Sequence, residues 1–383
     1  MLNPTIRPRQ RRFAVAPSAA VLALAEKLNR IDAAHTPNGN VLRMQDAFKS
    51  LMEDIEAAIQ PGVWPTPDGR ALAMTAPSFS GKSHVLDRLE ADERFRLGEE
   101  DGVPTRPFLK VVVPSPCNLK TLGLAFLSAL GADTRRQLSD VFLIWHAVRR
   151  QLIAQGVLLI LLDEFQNVLV AKTNPDLDKL AASMKAILVG EPIVPPPDDA
   201  SPAVKRAVAD SSERYPVSML IAGTPAVGKF VDDFSTERRE QFSRRCEEVA
   251  FAKIPWIRSS GPADGAASDT SEFRGLAKFI KSLLSAMDIQ IDPILLEADA
   301  QKRFYKAGSR HFGRVAHLLK LAAKLAVKRG RGMIVREHLA QAFETIYGTG
   351  PDRNCFLVAD INACPFPPGP EDHEKSRSRK AAA

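Results

Sequence analysis

A stretch that ends in Gly-Lys-Ser has the residue types needed to bind a triphosphate. It follows an apolar run at residues 71–75 and precedes a predicted helix at residues 83–89. In that context, backbone N–H groups and the helix N-terminus form an anion site, the lysine contacts the β- and γ-phosphates, and the serine hydroxyl ligates Mg²⁺. The predicted nucleotide-binding loop is Ala76, Pro77, Ser78, Phe79, Ser80, Gly81, Lys82 and Ser83.

Ala76 departs from the usual pattern of this loop, which begins with glycine. Glycine serves where the backbone needs a positive φ or a close approach. Alanine costs little at a negative φ and about 1 kcal/mol at a positive one. The sequence therefore leaves open whether the chain hydrolyses ATP or only binds it. A chance Gly-Lys-Ser is the other alternative, and the flanking pattern argues against it.

A second motif is an unbroken apolar run at residues 157–162 that ends in two acids, Asp163 and Glu164. Such a run is typical of a strand buried on both faces of a parallel sheet. Ligands bind at the carboxyl ends of the strands in these sheets. We expect Asp163 to hold Mg²⁺ and Glu164 to polarise the attacking water. The alternative is an acidic N-terminus of the following helix.

The elements that must position these residues alternate between strands and helices, which indicates a parallel, doubly wound sheet. The prediction is an α/β P-loop NTPase fold, with the sheet sandwiched by helices and followed by an all-helical lid domain. The expected parts are a basic flexible arm (1–17), the ATPase domain with its N-terminal helices (18–257), a linker (258–271), the lid (272–349) and a disordered tail (350–383). An insertion rich in proline and polar residues is expected at residues 195–215.

The composition of the 383 residues is typical of a globular protein. The net charge of +7 weakly favours a polyanionic partner such as nucleic acid. Its 4 cysteines have no metal-ligand or disulfide spacing, and no apolar run reaches membrane-span length. Arginines before an Ala-rich stretch imitate a signal peptide, but Pro17 interrupts that stretch. We expect a cytoplasmic protein with no membrane contact.

Three basic regions have alternative interpretations. The 1–17 arm, with four arginines and no acid, could contact DNA phosphate or be a solvated tail. Lys320, Lys324 and Lys328 recur every four residues and predict one basic stripe on a helix, which faces either DNA or solvent. The Arg-rich segment 237–246 precedes the last predicted strand of the sheet, where an arginine could reach a neighbouring subunit's nucleotide. A solvated charged helix is the alternative there.

The order of these motifs resembles that of AAA+ ATPases, and the details are most similar to the TniB/TnsC-type transposition ATPases. The resemblance covers roughly residues 12–347. Besides the loop, three segments carry it: the run Asp163, Glu164, Phe165, Gln166 and Asn167, the strand end Ala222, Gly223, Thr224 and Pro225, and the run Phe242, Ser243, Arg244, Arg245 and Cys246.

The resemblance implies roles for individual residues. Lys82 and Ser83 bind phosphate and Mg²⁺, Asp163 coordinates the metal, and Glu164 activates water. Thr224 is sensor 1, although a turn-forming threonine before proline is an equal alternative. Arg314 is sensor 2. Arg245 is the arginine finger, with Arg244 as the alternative; Cys246 departs from the residue usual after the finger.

The resemblance also implies a function: an ATP-dependent regulator of DNA transposition. Such a protein binds ATP and Mg²⁺, hydrolyses ATP slowly with stimulation by DNA, and assembles as a ring or filament on double-stranded target DNA. It then passes the site to a DDE-type transposase, in some cases with a TniQ-like adaptor. Two alternatives stay open: a non-catalytic ATP-binding module, and an AAA+ ATPase of another role, such as an initiator- or STAND-type protein.

Overall fold

The computed structural model describes residues 18–60, 67–78, 80–100, 103–132, 140–170, 173–194, 202, 214–254 and 274–367. The expected 1–17 arm, the 258–271 linker and nearly all of the 195–215 insertion lie outside these residues, as does Phe79 of the phosphate-binding loop. Within the described ranges, no helix combines the length and the apolar character needed to cross a membrane.

The chain divides into two compact units. The sheet unit holds the described residues of 37–253, together with 311–313. The helical unit holds the described residues of 1–36, 254–310 and 314–368. The first predicted helix, expected in the ATPase domain, thus groups with the C-terminal helices.

The strands of the sheet unit are β1 (Ala71–Thr75), β2 (Gly98–Glu100), β3 (Val103–Thr105), β4 (Phe108–Val112), β5 (Leu159–Asp163), β6 (Ser218–Gly223) and β7 (Cys246–Ala250); the helical unit has β8 (Gln290–Ile291) and β9 (Met333–Ile334). Five of them form a parallel sheet in the order β4-β5-β6-β1-β7. The antiparallel pair β2–β3 was not predicted.

The helices are α1 (Ala19–Ala33), α2 (Gly39–Ala58), α3 (Lys82–Glu90), α4 (Leu119–Ala129), α5 (Val141–Ala154), α6 (Gln166–Leu169), α7 (Asn174–Val189), α8 (Pro225–Val231), α9 (Glu237–Ser243), α10 (Arg274–Met287), α11 (Ala298–Ala307), α12 (Phe312–Lys328) and α13 (Arg336–Tyr347). The helical unit contains α1, α10, α11, α13 and all but the first residues of α12.

Helices bury both faces of the sheet, which explains the unbroken apolar runs of its central strands. Alternate residues of β1 point to opposite sides: Leu72 and Met74 join the apolar cluster formed with α2 and α3. Ala71 and Ala73 join the cluster on the other side, which includes residues from α4, α5 and α7. The predicted α/β fold with a helix-flanked parallel sheet is confirmed.

The first part of the expected disordered tail is instead packed in the helical unit. Cys355 and Phe356 are fully buried, and the Phe356 ring centroid lies 5.3 Å from that of Phe304. The proline-rich composition predicted disorder, but the buried apolar residues that it contains join a core. Residues 368–383 lie outside the described part of the chain.

Basic side chains hold this segment in place. Arg303 donates from Nη1 to the carbonyl oxygens of Cys355 and Val358, both at 2.8 Å. Lys306 donates to the Ile361 and Asn362 carbonyl oxygens at 2.7 and 2.9 Å. A segment with little regular secondary structure needs donors for its carbonyl groups, and these basic residues supply them.

Candidate nucleotide-binding site

Three adjacent strands bring the predicted site residues to one edge of the sheet. The strand β6 lies between β5 and β1, and all three run parallel. The phosphate-binding loop follows β1, Asp163 ends β5, and Thr224 follows β6. Because the carboxyl ends of parallel strands meet at the same edge, the loop, the acid pair and the threonine lie together.

Ala76 fits the loop without backbone strain. Its backbone φ is not positive, so it does not need the conformational freedom of glycine. Its side chain is 1% exposed within the apolar cluster of α2 and α3, and its N–H donates to the Gly223 carbonyl oxygen at 3.0 Å. Alanine is therefore compatible with the loop geometry, and its methyl group contributes to the core.

The remainder of the loop suits an anionic ligand. Gly81 has a φ of 96°, which only glycine adopts freely, and it is the N-cap residue of α3. The first N–H groups of a helix have no acceptor within the helix. The Ser80 hydroxyl is 93% buried and, among the described residues, has no hydrogen-bond partner. Lys82 is half-buried and Ser83 is exposed. These donors match the needs of a bound polyphosphate.

Asp163 and Glu164 are both partly exposed at the end of β5. The Glu164 N–H donates to Asp163 Oδ1 at 2.8 Å, and Glu164 has a φ of 58°, in the left-handed region that costs a residue with a Cβ about 1 kcal/mol. A strained backbone at a strand end is common where a side chain has to be aimed at a ligand.

The residues present fit a Mg²⁺ ion that the substrate would also help to hold. Within the described ranges, no group of three or more histidine, cysteine or acidic residues could hold a metal ion. Mg²⁺ keeps several waters and is usually bound by one or two protein oxygens together with substrate phosphates. Ser83 and Asp163 can supply those protein oxygens.

One cation lies near the acid pair. Lys110 of β4 bonds to the Glu90 carboxylate of α3. Burial lowers the pKa of Lys110, but the bond to Glu90 and the negative charges of Glu90 and Asp163 outweigh it and raise that pKa overall. Lys110 therefore stays charged and partly balances the acidic end of β5.

Thr224 is the N-cap residue of α8, with Pro225 in the first turn. Its side chain makes no capping hydrogen bond. A hydroxyl that served only the turn would bond to the free amides of the helix. The assignment of Thr224 as sensor 1 stays a prediction, and its position beside the loop and the acid pair is compatible with it.

Two side-chain amides contribute to the acid-pair turn, and sequence reasoning gave neither a role. Gln166 donates from Nε2 to Glu164 Oε2 and accepts the Thr224 N–H at Oε1, at 3.1 Å. Asn167 donates to the Val113 carbonyl oxygen at 3.0 Å, which anchors the turn to the chain after β4. Both residues stand in the run that carries the family resemblance, but no local pattern assigns their partners.

The two finger candidates differ in their contacts. Arg245 forms a salt bridge with Asp68 at 3.0 Å and donates to the Gln241 carbonyl oxygen at 2.8 Å, so its side chain is only 29% exposed. The Arg244 side chain is 71% exposed and pairs with Glu240 of the same helix at 2.5 Å. The structure therefore binds Arg245 within its own chain and presents Arg244 at the surface.

Arg314 and the basic stripe belong to the helical unit. Arg314 is buried near the start of α12, and its role as sensor 2 stays a prediction. Lys320 donates to the Asp32 carbonyl oxygen at 2.7 Å, and Lys324 pairs with the Asp32 carboxylate at 2.5 Å. Burial lowers the pKa of Lys320. Two residues of the predicted stripe therefore bind the end of α1, and the third, Lys328, is exposed.

Residues 68–195 match the family model described as an AAA domain. The matched segment is about a third of the chain and contains the phosphate-binding loop and the acid pair. The chain has a P-loop AAA+ fold. The match ends before Thr224 and the two finger candidates, so it does not bear on those residues. No curated protein sequence matches the chain.

Several solved structures resemble the chain weakly. Cdc6p from Pyrobaculum aerophilum is 11% identical, with a TM-score of 0.48 over 82% of this chain and 69% of that one. ORC2 from Aeropyrum pernix, in its ADPNP–ADP complexes, is 13% identical, with a TM-score of 0.48 over 83% and 71%. Drosophila ORC bound to DNA is 10% identical, with a TM-score of 0.45 over 89% and 70%. TM-scores below 0.5 support no conclusion about function.

The position of Ala76 gives a testable consequence. The Ala76→Gly variant should lose about 1 kcal/mol in the free energy of unfolding, because a buried methyl group is removed and the unfolded chain gains freedom. Its affinity for ATP should stay within about twofold of the wild-type value, since alanine does not strain the loop. Denaturant unfolding and titration with a fluorescent ATP analogue measure the two quantities. An increase in ATP affinity of tenfold or more would show that alanine distorts the loop.

Proposed function

We propose that this chain is an ATP hydrolase that acts as an assembly switch on DNA and, in particular, an ATP-dependent regulator of DNA transposition. The observation that supports hydrolysis is the convergence of the loop, the acid pair and Thr224 at one edge of the sheet. A protein that used ATP only as a structural ligand would need the loop but not an acid positioned to activate water. The unstrained backbone at Ala76 removes the main feature that favoured a non-catalytic module.

Each residue of the site has a separate task in this proposal. The loop amides and Lys82 bind the phosphates of the substrate ATP, and Ser83 with Asp163 hold Mg²⁺, which neutralises charge on the transferred phosphoryl group. Glu164 accepts a proton from the attacking water or orients that water. Thr224 offers a hydroxyl donor at the same edge.

An arginine from a second copy of the chain completes the site. The Ala71 N–H donates to the Arg245 carbonyl oxygen at 2.9 Å, so Arg244 and Arg245 lie at the amino end of β1, whereas the loop follows its carboxyl end. The five residues of β1 rise roughly 16 Å. Neither arginine is placed to reach the phosphates of its own chain. We propose Arg244 for this task, because Arg245 is held by Asp68.

This arrangement links nucleotide state to assembly. A guanidinium that contacts a neighbour's triphosphate makes charge-assisted bonds that ADP does not offer in full. ATP therefore favours oligomers, and hydrolysis favours their dissociation. Transposition, target DNA and a DDE-type transposase rest on the resemblance of the motif runs to TniB/TnsC-type ATPases. The initiator-type alternative keeps the same ATPase switch and differs in its protein partner.

The surface proposed to contact DNA is the loop between α12 and β9. Residues 302–336 contain eleven lysines and arginines and no acid. Eight of them contact other residues of the helical unit or lie buried within it: Arg303, Lys306, Arg310, Arg314, Lys320, Lys324, Arg329 and Arg336. Lys328, Arg329 and Arg331 are exposed, and a side chain added at Gly330 or Gly332 would meet open space.

The Glu164→Gln variant tests the hydrolase. It should bind ATP within about twofold of wild type, because Glu164 does not hold the phosphates, and lose at least about 100-fold in turnover, because the base is gone. DNA-bound oligomers formed with ATP should outlive those of the wild type. Phosphate release and sedimentation with DNA measure these quantities. A wild type that releases no phosphate with or without DNA would contradict the proposed hydrolysis. Unchanged turnover in the variant would instead contradict the role of Glu164 as the base.

Arg244→Ala and Arg245→Ala form a matched pair for the same assay. The first should lose turnover and the long-lived oligomers while keeping ATP affinity and stability. The second should lose stability, because Asp68 would lose a partner and be left with Arg214. The opposite pattern would assign the task to Arg245.

The α12–β9 loop gives a separate prediction about DNA. Changing Lys328, Arg329 and Arg331 to Ser should weaken binding to double-stranded DNA by roughly tenfold or more. The plot of log affinity against log salt concentration should become less steep, with a slope smaller in magnitude by about 2 to 3. The matched control changes Lys27, Lys278 and Lys281, three exposed lysines of the helical unit, to Ser. Equal effects from the two triple variants would show that only net charge matters, and the loop would not be the contact.

A further inference from the structure

The Gln166 amide connects the ends of two strands. Its Nε2 group donates to Glu164 Oε2, and its Oε1 atom accepts the Thr224 N–H at 3.1 Å. A backbone N–H can only donate, so the oxygen of the amide has to face Thr224 and its NH₂ group has to face Glu164. The orientation of the amide is therefore fixed by its partners.

The neighbouring backbone leaves room for this bridge only because residue 223 is glycine. A Cβ atom added at Gly223 would lie 2.8 Å from Gln166 Oε1 and 2.4 Å from Val227 Cγ2. Gly223 has no positive φ, so conformational freedom does not explain it. The close approach of the Val227 side chain and of the Gln166 amide explains it.

The turn that carries Glu164 needs such support. Glu164 has a φ of 58°, and its backbone is held by its own N–H bond to Asp163 Oδ1 and by the next residue, since the Phe165 N–H donates to the Ala222 carbonyl oxygen at 3.0 Å. These bonds fix the backbone but not the side chain, which keeps rotatable bonds beyond Cα. The bond from Gln166 restrains the carboxylate itself. It engages one oxygen, Oε2, and a carboxylate keeps further acceptor sites for a water proton.

We propose that Gln166 is the positioning residue of this site: it aims the Glu164 carboxylate by linking it to the end of β6 at Thr224. The proposal rests on the proposed ATP hydrolysis. Any displacement of Thr224 when the γ-phosphate binds or leaves is then transmitted to Glu164 through one side chain. Gln166 does not touch the reacting atoms and acts only through Glu164.

Two substitutions of similar size separate this role from a structural one. Gln166→Met keeps the volume and removes both hydrogen bonds. Gln166→Glu keeps an acceptor for the Thr224 N–H but replaces the donor with a negative charge beside Glu164. Asn167→Leu is the control, because Asn167 also makes one side-chain amide bond in this turn but bonds to Val113 rather than Glu164.

The readouts are kcat and KM for DNA-stimulated ATP hydrolysis, the Kd for ATP and the melting temperature. We expect kcat to fall at least about tenfold in Gln166→Met and further in Gln166→Glu, since part of the contribution of a general base depends on its orientation. The Kd for ATP should stay within twofold in both. Asn167→Leu should lower the melting temperature and keep kcat within twofold.

Two results would overturn the proposal. The first is a wild-type kcat in both Gln166 variants, which leaves the proposed hydrolysis intact and removes the role of Gln166. The second is an equal loss of kcat in Asn167→Leu and in Gln166→Met, which shows that any loosening of the turn has the same effect. A wild type without hydrolysis is a different failure, because it contradicts the proposed function itself.

Discussion

The parallel register of β5, β6 and β1 is the constraint on which the site depends. Because these strands are adjacent, the segments that follow them are held within hydrogen-bond reach of one another. Two backbone bonds continue the pairing beyond the strands: Ala76 N–H to the Gly223 carbonyl, and Phe165 N–H to the Ala222 carbonyl. The carboxyl end of β6 is thus connected to both the phosphate-binding loop and the segment that carries the acid pair, and it is the central element of the site.

This geometry explains why the site tolerates two departures from simple backbone rules. Glu164 adopts a left-handed conformation, and Ala76 occupies a position where glycine is usual. The backbone at Glu164 is strained but supported by hydrogen bonds from neighbouring strands. The backbone at Ala76 is unstrained, and its side chain is buried. The strain is confined to the residue that has to aim a carboxylate, which is where a functional site gains from it.

Positive charge serves two purposes in the helical unit. Five of the eleven basic residues of the 302–336 stretch donate to backbone carbonyl groups or pair with an acid, including the donors that hold residues 354–364 and the end of α1. Three of the five exposed ones, Lys328, Arg329 and Arg331, stand at the end of α12 and in the α12–β9 loop. A sequence count of basic residues therefore overstates the surface that a nucleic acid can contact. The spacing of basic residues along a helix predicts that they share one face, but it does not predict which other residues that face contacts.

Local patterns predicted the fold well, and the candidate site residues stand at the ends of the predicted strands. The apolar runs before Ala76 and Asp163 are strands, and the residues that follow them meet at one edge, because strand burial and parallel pairing follow from composition over a few residues. The segment after residue 350 was wrongly predicted as disordered up to residue 367, because its donors come from α11 and α13.

Contacts between distant residues were not predictable from the sequence. Gln166 and Thr224 are 58 positions apart, and Asp68 and Arg245 are 177 apart. Their pairing depends on strand register and rotamers, which no local pattern encodes. For the same reason the sequence could not distinguish Arg244 from Arg245.

Equilibrium binding of ATP to the full-length chain and to its Lys82→Ala variant tests the central claim most directly. Lys49→Ala, which removes an exposed lysine of α2, is the control. We expect Lys82→Ala to bind ATP at least about tenfold more weakly, because a charge-assisted contact to phosphate is lost, and the control to bind ATP normally. If Lys82→Ala bound ATP as tightly as the wild type, the phosphate site would not lie in this loop, and the account would be wrong.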